Sequence, residues 1–189
     1  MAYSTIVADP PWDYGRDHKR WPRSPKGKML HGGIPYEPME SAEIIDLPVD
    51  QWTASDARLF LWTTSKHLPL ALEVLSAWGF DYKQTLVWHK TGNPSPFGGS
   101  VAPNHAEFLL VAVKGAPPLL SRLKGSVIAA AKPNHGKQTP HSRKPEIFQD
   151  EIERCSPGPY LELFARRERL GWKTWGNESA NSAGLFLAA

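Results

Sequence analysis

Asp9, Pro10, Pro11 and Trp12 follow directly on an apolar run at residues 3–8. Proline lacks the N–H that a sheet ladder needs, and it pushes the residue before it into an extended conformation. The acid is therefore expected just past the carboxyl end of a strand, on a stiff turn. In open α/β sheets that edge is where ligands bind. A carboxylate there can serve as a base, a metal ligand or a hydrogen-bond acceptor. The best local metal set, Asp9, Asp13 and His18, matches no metal-ligand spacing, so no metal site is expected. The chain has no G-x-S-x-G elbow, no Walker P-loop and no G-x-G-x-x-G. A better fit is an exocyclic amine on a flat base. Asp9 accepts one N–H of the amine. The Pro10 carbonyl, kept out of ladder pairing by the prolines, accepts the other. Trp12 packs on the ring. Such a clamp turns the amine lone pair towards an electrophile, which makes Asp9, Pro10, Pro11 and Trp12 the catalytic candidates.

Those residues need a sheet to hold them. Residues 57–63 (ARLFLWT) form a continuous apolar strand, as in a sheet covered on both faces. Further strands are expected at 80–90, 106–115, 126–131, 160–166 and within 171–178. Helices are expected at 39–47, at 66–79 with Leu68, Leu72, Leu75 and Trp78 at helical spacing, and at 145–155 with Ile147, Phe148 and Ile152 on one face. Strands alternating with helices predict a mostly parallel α/β sheet, with an antiparallel edge around 80–113. Three long loops, at 13–38, 91–104 and 132–144, follow strand ends and can converge over one sheet face. Loops of that length in a compact domain are commonly functional.

The totals narrow the class. The chain has 189 residues, a net charge of +3 and a single cysteine, Cys155. That excludes a disulfide framework and a cysteine-based zinc site. Its pI of about 9.0 is compatible with a nucleic-acid partner. Arg16, Lys19, Arg20 and Arg23 in the first loop and Lys137 in the third are expected to hold phosphates. No apolar run is long enough for a membrane span and no signal-peptide layout is present, so a cytoplasmic protein without membrane association is expected. One domain is expected over 1–178, with a tail at 179–189.

The motifs also carry a resemblance. DPPW at 9–12 looks like the signature of methyltransferases that act on the N6 amine of adenine with S-adenosylmethionine. PYEPM (35–39), LFLWTT (59–64), WGFDYKQTLVWHK (78–90), HAEFLLVAVKG (105–115), RKPEIFQDEIE (143–153), ELFAR (162–166) and GWKTWGNE (171–178) follow in order. Together they resemble the family of the catalytic subunit of the eukaryotic messenger-RNA adenosine methyltransferase and its bacterial and phage relatives. The resemblance implies a Rossmann-like methyltransferase fold, circularly permuted so that the catalytic strand precedes the cofactor strand. It implies S-adenosylmethionine contacts at Asp9, Glu162, Arg166, Lys144, Asn177 and Glu178, with Lys144 near the methionine carboxylate and Asn177 and Glu178 near the adenosine. Tyr36 and Trp88 resemble residues near the target base. Relatives often carry His-Asn where this chain has Glu168-Arg169, which puts the ribose contacts there in question. The resemblance also allows a homodimer. The short chain without zinc-finger cysteines favours a stand-alone enzyme on DNA. The alternatives are an RNA adenine methyltransferase, a cytosine-N4 enzyme with a similar clamp, and a non-catalytic nucleic-acid-binding partner subunit.

Overall fold

A computed structural model describes residues 2–14, 39–92, 101–133 and 143–176. Arg16, Lys19, Arg20, Arg23, Tyr36, Lys137, Asn177, Glu178 and the tail lie outside the described residues. The elements in chain order are β1 (Tyr3–Ala8), α1 (Ser41–Ile45), α2 (Val49–Trp52), β2 (Thr53–Thr63), a 3-10 turn (Ser65–His67), α3 (Leu68–Ala77), β3 (Asp81–Thr91), β4 (Ala106–Lys114), β5 (Val127–Ala131), α4 (Glu146–Cys155), β6 (Tyr160–Leu163) and β7 (Trp172–Trp175).

The seven strands form one sheet in the order β5-β3-β4-β2-β1-β6-β7. All pairs are parallel except β2–β4 and β3–β4. The sheet is thus mostly parallel, as expected for a Rossmann-like methyltransferase. The expected antiparallel edge is corrected: the single reversed strand, β4, is interior, between β2 and β3. Reversal brings the start of β4 to the edge where the other six strands end.

Period-two alternation divides the strands between two cores. Ile6, Leu59 and Leu61 pack with Val74, Leu75 and Trp78 of the α3 side. Val7, Phe60, Trp62 and Leu109 pack with Phe148 and Ile152 of α4. Covering both faces is what makes residues 57–63 read as uninterrupted apolar sequence.

Each long helix departs from its expected face at one aliphatic residue. On α3, Ala71, Val74 and Leu75 are buried while Leu72 is 42% exposed. On α4, Phe148, Gln149, Ile152 and Cys155 are buried while Ile147 is 42% exposed. On each helix one large aliphatic falls outside the stripe that faces the sheet, while Leu75 and Ile152 lie within it. Gly79 ends α3 with a φ of +77°, a conformation that costs glycine no steric penalty.

β6 is shorter than expected. It stops at Leu163 because Phe164 adopts a φ of +62°, and Ala165 N–H then turns to the Trp175 carbonyl at 2.8 Å. Arg166 therefore sits on the turn beyond the strand, not on the strand with Glu162. Gly176 permits this turn: a Cβ there would lie 2.4 Å from the Ala165 carbonyl oxygen.

The chain leaves β1 towards β2 on one side of the sheet and leaves β6 towards β7 on the other. The carboxyl ends of β1 and β6 therefore border a topological switch point, the usual ligand crevice of such sheets.

Candidate active site

Asp9 is the first residue past β1, anchored by its N–H to the Leu163 carbonyl of β6 at 3.4 Å. The turn after it is closed by two backbone bonds, Trp12 N–H to Pro10 O at 2.8 Å and Met39 N–H to Pro11 O at 3.1 Å. The Pro10 carbonyl thus accepts one internal bond and keeps its second lone pair for another donor.

Trp12 is a strut. Its indole N–H donates to the Trp62 carbonyl at 3.1 Å, and its ring stacks on His67 at 5.7 Å between centroids. At 3% exposure the ring has no open face, which departs from the expected packing on a base. His67 completes the brace. Its Nε2–H donates to the Asp13 carbonyl at 2.8 Å, leaving Nδ1 to accept from the Thr64 hydroxyl at 3.4 Å. Burial lowers the His67 pKa, so the ring is neutral at pH 7.

Lys144 precedes α4 and reaches Asp9 with Nζ 2.8 Å from both carboxylate oxygens. The same ammonium lies 3.1 Å from Glu107 Oε2, and Lys90 pairs with the other oxygen of Glu107. Lys90, Glu107, Lys144 and Asp9 form one line of alternating charge along the carboxyl edge of the sheet. The reversed strand makes this possible, since Glu107 is at the start of β4 and Lys90 near the end of β3. The two ammonium groups also face Trp62 and Trp88, 5.2 and 5.0 Å from the ring centroids. Burial works against the Lys144 charge, but Asp9 and Glu107 together hold it protonated well above its usual range. Burial likewise opposes the Glu107 charge and is outweighed by Lys144 and Lys90, which hold that carboxyl below its usual range. The expected position of Lys144 was at a cofactor carboxylate; its partners in this structure are two protein carboxylates.

Across the crevice from Asp9, Glu162 projects from β6 and accepts from Gln149 Nε2 at 2.7 Å. Gln149 in turn accepts from Arg167 through its Oε1. Burial pushes the Glu162 carboxyl up to about 7; Arg167 works against that shift and Asp9 adds to it. Arg143, Phe164 and Arg166 also border this cleft. Arg143 Nε is, among the described residues, the one buried side-chain polar atom with no hydrogen-bond partner.

A raised carboxyl favours the protonated folded state, so Glu162 costs stability as pH rises from its unfolded value, near 4.5, through about 7. Glu162→Gln removes that cost while keeping the partner Gln149. Its advantage over the parent is expected to grow between pH 4 and pH 8 to roughly 2 kcal/mol, read as the difference in urea midpoints. An advantage independent of pH would refute the assignment.

Trp88 is core. It is 3% exposed, its N–H donates to the Ala130 carbonyl at 2.9 Å, and it meets Trp62 and Phe148 edge-on. The expected contact with a target base is corrected for this residue, whose faces are covered by β-strand and α4 neighbours. Arg169 is also structural. It reaches Asp150 at 2.7 Å and both oxygens of Glu153 at 2.8 Å, so it ties the β6–β7 turn to α4. Arg169→Ala is expected to lower stability by about 1–2 kcal/mol in thermal melts, because two charge-assisted partners are lost.

With this geometry in hand, the family model MT-A70 matches residues 3–178. The chain belongs to the MT-A70 family. MT-A70 proteins are methyltransferases, and this chain is one. It is 32% identical over 188 residues to the Type II methyltransferase M.MunI of Mycoplasma sp, spanning 93% of this chain and 77% of that protein. It is 32% identical to the N(6)-adenosine-methyltransferase subunit METTL3 of Danio rerio and 30% identical to the catalytic subunit METTL3 of Homo sapiens. In each of those two cases the chain spans 28% of the relative's length. No helix among the described residues is long and apolar enough to cross a membrane.

Sequence reasoning placed Asp9, Lys144, Glu162 and Arg166 at one site, and the structure brings these four to one crevice. It missed Glu107, Lys90, Gln149, Arg143 and His67. Two of those left a trace in the sequence: Lys90 and Glu107 are opposite charges inside apolar strands, where charge survives only if paired.

Proposed function

We propose that this chain transfers a methyl group from S-adenosylmethionine to the exocyclic N6 amine of adenine in nucleic acid, with DNA as the substrate. The observation that carries the reading is the rigid Asp9 turn at the switch-point crevice, facing Glu162 across it. A carboxylate and a free carbonyl lone pair on a stiff turn suit the two N–H bonds of an aromatic amine. The support for DNA is that, of the three relatives named above, the Type II methyltransferase is spanned over 77% of its length, whereas the two N(6)-adenosine enzymes are spanned over 28%.

The residues around the cleft suit the cofactor. Glu162 and Asp9 are acceptors for a cation, and the partnerless Arg143 Nε–H is a donor for a carboxylate. S-adenosylmethionine carries both kinds of group, and when bound it supplies an electrophilic methyl on a sulfonium. Glu162, Arg166 and Arg143 would hold it, with Asn177 and Glu178 completing the adenosine contacts.

The chain's own residues then do three things. Asp9 and the Pro10 carbonyl take the two amine hydrogens and so orient the lone pair. Lys144, already within reach of Glu107, keeps that partner while Asp9 turns an oxygen to the amine. Asp9 passes the departing amine proton to solvent, since a carboxylate is too weak a base to remove it beforehand. Positioning and fixed charge supply the rate gain. A base within a duplex must be flipped out of its stack to reach Asp9.

The test is transfer of labelled methyl to matched DNA and RNA oligomers, followed by nucleoside analysis. N6-methyladenine in DNA is the expected product. The same product only in RNA overturns the choice of substrate, N4-methylcytosine overturns the choice of base, and no product with any oligomer overturns the catalytic reading.

A further inference from the structure

A second cavity of about 300 Å³ lies on the α4 side of the sheet, towards the amino edge and away from the Asp9 crevice. Phe60, Leu86 and Val111 of β2, β3 and β4 form its apolar floor, and the segment 119–126 forms a wall. That wall is fixed to the end of α4. Leu120 N–H donates to the Cys155 carbonyl at 2.9 Å, and Arg154 Nη1 donates to the Ser121 hydroxyl at 2.8 Å.

Among the described residues, the charged side chains that line this cavity are Arg58 and Arg122, with no carboxylate beside them. Arg58 is only 7% exposed, yet its protein partners are all neutral: the carbonyls of Pro117 and Pro118, each at 3.2 Å, and the Ser156 hydroxyl at 2.8 Å. Among the described residues these use three of its five N–H donors, and Nε–H and one Nη2–H stay open to solvent or to a ligand. A guanidinium taken out of water without an anion is costly, and mutual attraction to an anion is what normally offsets that cost. Burial lowers the pKa of Arg58, and the neighbouring Cys155 works against that shift. The lining thus combines open guanidinium donors, apolar side chains and a second cation, the exposed Arg122.

We propose that this cavity is a binding site for a small amphiphilic organic anion, with its carboxylate or phosphate head on Arg58 and Arg122 and its apolar body on Phe60, Leu86 and Val111. The site does not rest on the methyl-transfer reading. As a staple between the Pro117–Pro118 segment and Ser156, Arg58 uses three donors, and that role does not account for the second arginine on the same lining.

The experiment is titration of the full chain with octanoate, inorganic phosphate and octylammonium, read by amide shifts of residues 119–126 and 155. Octanoate is expected to shift these amides saturably, and octylammonium is not. Phosphate alone is expected to bind at least about tenfold more weakly, since it has no apolar body. Arg122→Glu, on an exposed side chain, is expected to fold normally and to weaken octanoate by about tenfold or more. Arg58→Lys keeps the charge but not the fork and is expected to weaken it as well. Absence of octanoate shifts, an equal response to octylammonium, or wild-type affinity in Arg122→Glu each overturns the anion site. Phosphate binding as tightly as octanoate overturns the apolar half of it.

Discussion

Asp9→Asn lowers methyl transfer by about a thousandfold while the protein still folds. The expected loss follows from what the amide changes at this position. Asparagine keeps the shape of the side chain but replaces an anionic acceptor with a neutral carbonyl and an N–H donor. One face of the amine clamp then repels the amine it should hold, and removal of a single well-placed electrostatic partner commonly costs a factor of about 10²–10³. Loss of the departing proton's route adds to that. The fold survives because Lys144 retains Glu107, 3.1 Å away, so no buried cation is stranded. Single-turnover rates with labelled cofactor, set beside thermal melts of both proteins, check the prediction. Activity within tenfold of the parent would remove Asp9 from the chemistry; a collapsed melt would make the loss uninformative, and Asp9→Glu, which keeps the charge, then provides the comparison.

The largest effect on stability is expected at Lys144. Lys144→Met leaves an apolar chain of similar length against Trp62, so packing is largely kept. What goes is the cation shared by Asp9 and Glu107, whose side chains are 18% and 13% exposed. Breaking a buried pair by removing one partner costs about 3–5 kcal/mol, because an uncompensated charge stays behind. Glu107 keeps Lys90, which holds the cost towards the lower end. The pH dependence has a definite sign. The Glu107 carboxyl is held below its usual value, so in the parent its stabilisation is present above the unfolded value, near 4.5, and is lost as pH falls through the lowered folded value. In Lys144→Met that depression is weakened, so the gap between variant and parent narrows as the solution is acidified. Urea midpoints at pH 7 and at about pH 3, below the unfolded value, measure it. A double-mutant cycle with Glu107→Gln separates the pair from the packing, and a coupling near zero would show that Lys144 is merely adjacent to Glu107.

The parts of this molecule that local chemistry determines were legible in its sequence. Two prolines after an apolar run can only end a strand, and the acid before them can only sit at its carboxyl end. The two-faced burial of residues 57–63 was equally plain from its unbroken apolar character. The interior position of β4 was not, because strand order depends on which edges are free when the chain returns, and residues 106–115 read the same in either direction. Arg166 was misplaced onto β6 because nothing in ELFAR signals that Phe164 takes a positive φ; that conformation is imposed by the Ala165–Trp175 bond and the bare Gly176. The partners of Lys144 were hidden for a similar reason. Glu107 is 37 residues before it and Asp9 is 135 residues before it, so only the finished sheet brings the three together.

The neighbours of β1 also set a timetable for the ribosome. β1 emerges before both of its neighbours: β2 follows within some fifty residues, but the other edge waits for β6. The Thr5 hydroxyl meets that of Ser156 across a sequence separation of 151 residues. At a synthesis rate of ~5–20 residues per second, that is roughly 8–30 s with an apolar strand edge open. The crevice has no second wall in that interval, so a nascent or prematurely ended chain carries Asp9 but cannot face it with Glu162. Commitment to chemistry is thereby deferred until β6 has been made, and the unpaired edge of β1 is the stretch that a chaperone would have to shield.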